Sequence, residues 1–199
     1  MRRTSNLKAL VSVCMTVLAL GVGTLLVDAA ARERFVANAI SIATPGRTGA
    51  GTVEIVVERW STDAERDELI KTLLAKGHEK LLETLQKLPR AGYIRTPNSI
   101  GYDLHYARKM PMDEGGEQIV IATDRYIGFW EAANRPRTID YPFTLIEIRL
   151  GPDGVGEGKM TPFTKIMYDK KKNQIVLENY QSQPVLLTQV RRESTTASR

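Results

Sequence analysis

Apolar residues recur at intervals of three and four between Ile70 and Leu88. Ile70, Leu73, Leu74, Leu81, Leu82, Leu85 and Leu88 fall on one stripe of a helix. Ser61 or Thr62 caps its start, and Thr62 and Glu65 have the spacing of a capping box. Asp63, Glu65, Asp67 and Glu68 crowd the first turns, where the helix dipole favours anions. Pro89 ends the segment. The pattern predicts one long helix, with Gly77 as the point where it could divide into Ala64–Lys76 and His78–Leu88.

Elsewhere the period is two. Val53–Val57 precedes the helix. After it come Tyr93–Thr96, Gly101–Arg108, Gln118–Thr123, Tyr126–Glu131, Phe143–Leu150, Lys159–Tyr168, Ile175–Tyr180 and Val185–Val190. Each run is short, rich in β-formers and bounded by turn residues such as Pro97-Asn98-Ser99 or Gly151-Pro152-Asp153-Gly154. Connectors this short favour antiparallel hairpins, because parallel strands need long crossovers. The expected fold class is therefore α+β: a curved antiparallel β-sheet or partly closed β-barrel of about eight strands, with the long helix packed against it. Alternation assigns faces. Ile146, Ile148 and Leu150 share one face opposite Leu145, Glu147 and Arg149, and Tyr102, Leu104 and Tyr106 share one opposite Asp103, His105 and Ala107.

The N-terminal pattern differs from both. Arg2, Arg3 and Lys8 precede 19 uncharged residues, Ala9–Val27, and Ala29-x-Ala31 follows as a small-residue cleavage site. Residues 1–31 therefore read as a signal peptide, or alternatively as a retained membrane anchor, since about 20 apolar residues span a bilayer. The expected protein is exported, periplasmic or secreted, with one α+β domain over 32–192 and a disordered tail over 193–199. Cleavage would remove Cys14, the only cysteine, and with it disulfides, thiol nucleophiles and cysteine-based metal sites. It would also lower the net charge from +5 to +3. The charges are interspersed, so the basic balance is not a nucleic-acid signal, and membrane contact is expected only through the N-terminal segment.

Several chemistries find no motif. The chain has no nucleophile elbow, no P-loop and no dinucleotide fingerprint. His78-Glu79 lacks the second histidine of a zinc protease helix, so no metal and no cofactor is expected. His78 reads as a solvated surface residue. His105 is more interesting, because Asp103 two residues away on a strand could orient its imidazole. Gly151, Gly154, Gly156 and Gly158 before Lys159 suggest a phosphate cradle, but no helix follows, and a loop with a hairpin turn is the better reading. Lys170-Lys171-Lys172 could touch anionic lipid or glycan, but the better reading is a solvated hairpin tip that discourages edge pairing.

One stretch is denser than the rest. Five of the thirteen aromatic residues lie between Thr123 and Phe143, interleaved with charges. Aromatic faces with a few directed polar groups are the makings of a small-molecule site. The candidate ligand-binding residues are Asp124, Arg125, Tyr126, Phe129, Trp130, Glu131 and Tyr141, and the competing reading places these rings in the core. His105, Asp124 and Glu131 are weak catalytic candidates, as an acid–base set.

The strings Trp60-Ser61, Glu65-Arg66-Asp67, Ala122-Thr123-Asp124-Arg125, Gly128-Phe129-Trp130-Glu131-Ala132 and Ile139-Asp140-Tyr141-Pro142-Phe143 together resemble a group of exported bacterial proteins of unassigned function. The resemblance implies a bacterial, exported chain and no site residue. The leading expectation is a non-enzymatic domain that binds a small or amphiphilic ligand or an envelope component. The alternatives are a structural or interaction module of the cell envelope, and a carboxylate-based hydrolase or isomerase.

Overall fold

Strand alternation and short connectors produce one continuous antiparallel sheet. The computed structural model describes residues 32–44, 47–124, 140–179 and 183–193. In chain order the elements are β1 (Glu33–Thr44), β2 (Arg47–Val57), α1 (Asp63–Lys76), α2 (His78–Lys87), β3 (Gly92–Arg95), β4 (Tyr102–Leu104), β5 (Tyr106–Pro111), β6 (Glu117–Thr123), β7 (Phe143–Leu150), β8 (Val155–Asp169), β9 (Gln174–Asn179) and β10 (Val185–Glu193). The segments 1–31 and 194–199, and the expected strand Tyr126–Glu131, lie outside the described residues. No described helix is long and apolar enough to cross a membrane.

The strand order is β4-β3-β2-β1-β10-β8-β7-β6-β5, with β9 paired to β8 as well. The two ends of this path, β4 and β5, are consecutive in the chain. Between them the backbone turns at His105 and changes partners: Tyr102–Leu104 pairs with β3, and Tyr106–Pro111 pairs with β6. The seam is sewn by single bonds. His105 N–H donates to Ala122 O (3.2 Å), Thr123 Oγ1 donates to Asp103 O (2.7 Å), and Ser61 N–H donates to Ala107 O (2.7 Å). The result is a nearly closed barrel that curls the sheet on itself and hides most of its edges.

The interior is filled by side chains. Phe35, Ile55, Ile94, Leu104, Ile119, Ile146, Ile148, Leu150 and Met160 are fully buried there. Gly156 and Gly158 are part of this packing, lying in strand β8 rather than in a loop. A Cβ at Gly156 would sit 1.8 Å from Arg149 O and one at Gly158 2.5 Å from Glu147 O, so β7 and β8 approach as closely as they do only because both are glycine. Across the barrel, Glu33 accepts from Trp60 Nε1 (3.1 Å) and Lys109 Nζ (2.6 Å) and pairs with Arg192 Nε (3.0 Å), while Arg192 also meets Glu117. These pairs tie β1, β5, β6 and β10 together.

Three expectations need correction. The helix is two helices: Gly77, at φ 80° and ψ −173°, stops α1 and starts α2, a conformation that glycine tolerates and L side chains resist. The strands number ten among the described residues rather than about eight. Glu33–Thr44 was not expected because its inward positions include Ala37 and Ala39, which carry little β signal. Gly101–Arg108 is two strands, and the turn at His105 reverses the faces: Leu104 and Ala107 both point into the barrel, whereas Tyr106 lies on the outside beneath the helices. The expected grouping of Ile146, Ile148 and Leu150 on one dry face is observed, with all three fully buried.

Candidate functional site

The local sequence around α1 fixes how the helices meet the sheet. Thr62 Oγ1 accepts from Glu65 N–H (3.2 Å), and the Glu65 carboxylate accepts from Thr62 N–H (2.8 Å), completing the capping box. Arg59 grips the same carboxylate with two nitrogens at 2.9 and 3.0 Å and also donates to Pro89 O, so both ends of the helical pair are tied to one guanidinium. That guanidinium, opposed by burial, holds the Glu65 carboxyl below its ordinary range.

The helices cover the outer surface of β5 to β8. α2 seats Leu81 and Leu85 against Ala122 and Phe143. α1 buries only Leu73, and its Leu69 and Ile70 stay half-buried. These two leave α1 spanning a space instead of lying flat on the sheet. That space is a cavity of about 610 Å³. Its floor is the outer row of the sheet, Val120 and Ala122 on β6, Leu145 on β7 and Ile166 on β8. Ile175 and Leu177 on β9 form a further wall and are half exposed to solvent. The volume falls within the range of about 300–1,000 Å³ typical of small-molecule sites.

Three polar side chains join this apolar lining: Arg66 from the first turns of α1, and Tyr106 and Arg108 from β5. Arg108 Nη1 reaches the exposed Asp63 at 2.6 Å, and Arg66 lies 3.8 Å from Asp67. Both pairs are solvent-facing, so they are weak and exchangeable. The Tyr106 hydroxyl has no hydrogen-bond partner among the described residues. Burial pushes its pKa up, against the pull of the Arg108 and Arg66 charges. An apolar chamber carrying two guanidiniums and a phenol can hold a chain by its hydrocarbon and an anionic group by charge-assisted hydrogen bonds.

The residues expected from sequence fare differently. Arg125, Tyr126, Phe129, Trp130 and Glu131 lie outside the described residues. Asp124 accepts from Gln86 Nε2 (2.9 Å) and pairs with His105 Nε2 (3.4 Å). Tyr141 donates to Glu178 Oε1 (2.7 Å). The described lining of the cavity includes neither Asp124 nor Tyr141, although each flanks a strand that contributes to it. His105 has a different carboxylate from the one expected: Asp103 faces Arg90 (3.1 Å), because the turn at His105 sends the two side chains apart. His105 Nδ1 faces Leu88 O at 3.4 Å, so both ring nitrogens are occupied by protein oxygens. No group of three or more potential metal ligands gathers among the described residues.

Sequence reasoning missed Tyr106, Arg108 and the sheet floor. The signal was present in Ile119-Val120-Ile121-Ala122 and Leu145-Ile146, where apolar residues occupy consecutive positions. A strand dry on both faces needs a cover on its outer side. Comparison with protein-family models, with curated proteins and with solved structures gave no match.

Proposed function

We propose that this protein is a non-enzymatic exported domain that binds an amphiphilic molecule between its helical pair and the outer face of its sheet. The observation that carries the reading is the 610 Å³ apolar cavity with Arg66, Tyr106 and Arg108 in its lining. The hydrocarbon part lies over Ala122 and Leu145, and an anionic head meets the two arginines. A barrel interior packed with side chains leaves this outer chamber as the place for a ligand among the described residues. Export and kinship with exported bacterial proteins of unassigned function belong to the same proposal.

A fluorescent long-chain fatty acid tests it. Saturable binding, displaced by unlabelled fatty acid and abolished by Ala122→Trp, supports the reading. Absence of saturable binding, or unchanged affinity in Ala122→Trp, refutes it. The His105–Asp124 pair is the one observation favouring a carboxylate-assisted hydrolase, and the engagement of both imidazole nitrogens by protein oxygens weighs against that alternative.

A further inference from the structure

β8 is longer than the barrel needs. Its ladder with β7 ends at the Phe143–Thr164 pair, next to a bulge at Phe163 (φ 52°) that bends the strand. From Lys165 to Asp169 its paired neighbour is β9. The two strands thus leave the barrel as a two-stranded ribbon, and one face of that ribbon walls the cavity. On that face Ile175 and Leu177 are 50% and 53% exposed, although both line the cavity, so they stand at its mouth.

The ribbon ends in Lys170-Lys171-Lys172. The turn is built: Asp169 Oδ1 accepts the backbone N–H groups of Lys171 (2.9 Å) and Lys172 (3.2 Å), and Tyr168 Oη donates to Asn173 Oδ1 (2.6 Å). Among the described residues the three ammonium groups make no ion pair. Several other surface cations are matched, Arg34 and Arg95 by Glu54, Lys109 by Glu33, and Lys159 by Glu147. Single lysines such as Lys71 and Lys165 also stand without an ion pair among the described residues, but only this turn sets three in succession. The acids near the ribbon are otherwise engaged, Asp169 by its turn and Glu178 by Tyr141.

We propose that the β8–β9 ribbon docks the cavity mouth onto an anionic lipid surface, from which the amphiphile enters. This rests on the ligand-binding reading and names the partner that delivers the ligand. Unpaired lysines beside exposed Ile and Leu match a bilayer, which offers anionic head groups and, a few ångströms below them, hydrocarbon. A soluble polyanion would use the lysines and leave Ile175 and Leu177 idle.

The test is cosedimentation of the full chain with phosphatidylcholine vesicles and with vesicles containing phosphatidylglycerol. The zwitterionic vesicles report whatever the Ala9–Val27 segment contributes. Phosphatidylglycerol should strengthen binding, and added salt should weaken that gain. The triple reversal Lys170→Glu/Lys171→Glu/Lys172→Glu should weaken it by at least about 100-fold, at about fivefold per lysine lost, while the variant still takes up fatty acid from solution. Ile175→Ser/Leu177→Ser should weaken vesicle binding without altering its salt dependence. No gain from phosphatidylglycerol, or a triple variant that binds as the native chain does, overturns the proposal. So does native vesicle binding by the serine pair, which would mark the lysines as a site for a soluble polyanion. Solution uptake of fatty acid is read separately. Its failure with docking intact would sink the ligand reading alone, and docking failure with uptake intact would sink the ribbon alone.

Discussion

Two alanines on neighbouring strands test the cavity most directly, because the same substitution should change stability in opposite directions. Ala122 lies on the outer face of β6 and lines the cavity. Ala107, on β5, is fully buried in the barrel interior. Ala107→Leu forces three more carbons into a filled core, which costs about 1–3 kcal/mol. Ala122→Leu adds the same carbons to open apolar space. Each buried carbon is worth about 0.8 kcal/mol, so the variant should gain up to about 2 kcal/mol. The two variants should therefore differ by about 3–5 kcal/mol, or about 6–20 °C in Tm for a domain of this size. Urea denaturation with unchanged m-values measures the difference. If Ala122→Leu loses as much stability as Ala107→Leu, the space beneath α1 is not available, and the ligand proposal loses its foundation.

Glu65→Gln removes the charge from the grip of Arg59 while keeping an oxygen for the capping box, and should destabilise the protein by about 1–2 kcal/mol at neutral pH. Because the folded-state pKa of Glu65 is depressed, its contribution is complete above the unfolded value of about 4.3 and fades as pH falls through the lower folded value. Urea titrations at a series of pH values should show the two proteins converging in acid. Gly77→Ala should cost about 1–3 kcal/mol through its left-handed φ alone, since no atom lies within 4 Å of the added Cβ, and chemical denaturation reads this. His105→Ala should leave fatty-acid affinity unchanged in the same fluorescence titration, because the imidazole bridges Asp124 and Leu88 O outside the cavity lining. An affinity loss without unfolding would return His105 to the site.

Some of this architecture could be read residue by residue. The alternation of Ile146, Ile148 and Leu150 announced a dry inner face, and Thr62 with Glu65 announced the helix start, because both signals are local. What escaped was set by tertiary context. β1 is a strand because β2 and β10 flank it, although its Ala37 and Ala39 have weak β preference. The face reversal at His105 follows from barrel closure, where one chain segment must leave β3 and join β6, and no two-residue periodicity encodes that. Phe143, at the end of the aromatic-rich stretch but not among the candidate ligand-binding residues, lines the cavity. Of the cavity's polar groups, Arg66 lies 40 residues before Tyr106 and 42 before Arg108, and they meet only when α1 folds back over β5.

The position of β10 has a consequence for how the molecule comes into being. Along the hydrogen-bonded path, β4-β3-β2-β1 and β8-β7-β6-β5 are two half-sheets joined at the β4–β5 seam, and β10 is the stave between their other edges. β10 follows the other nine described strands in the chain, so during synthesis that stave arrives after both halves. Until then each half presents a raw edge, β1 on one side and β8 on the other. The order of synthesis thus leaves both edges open until residues 185–193 arrive.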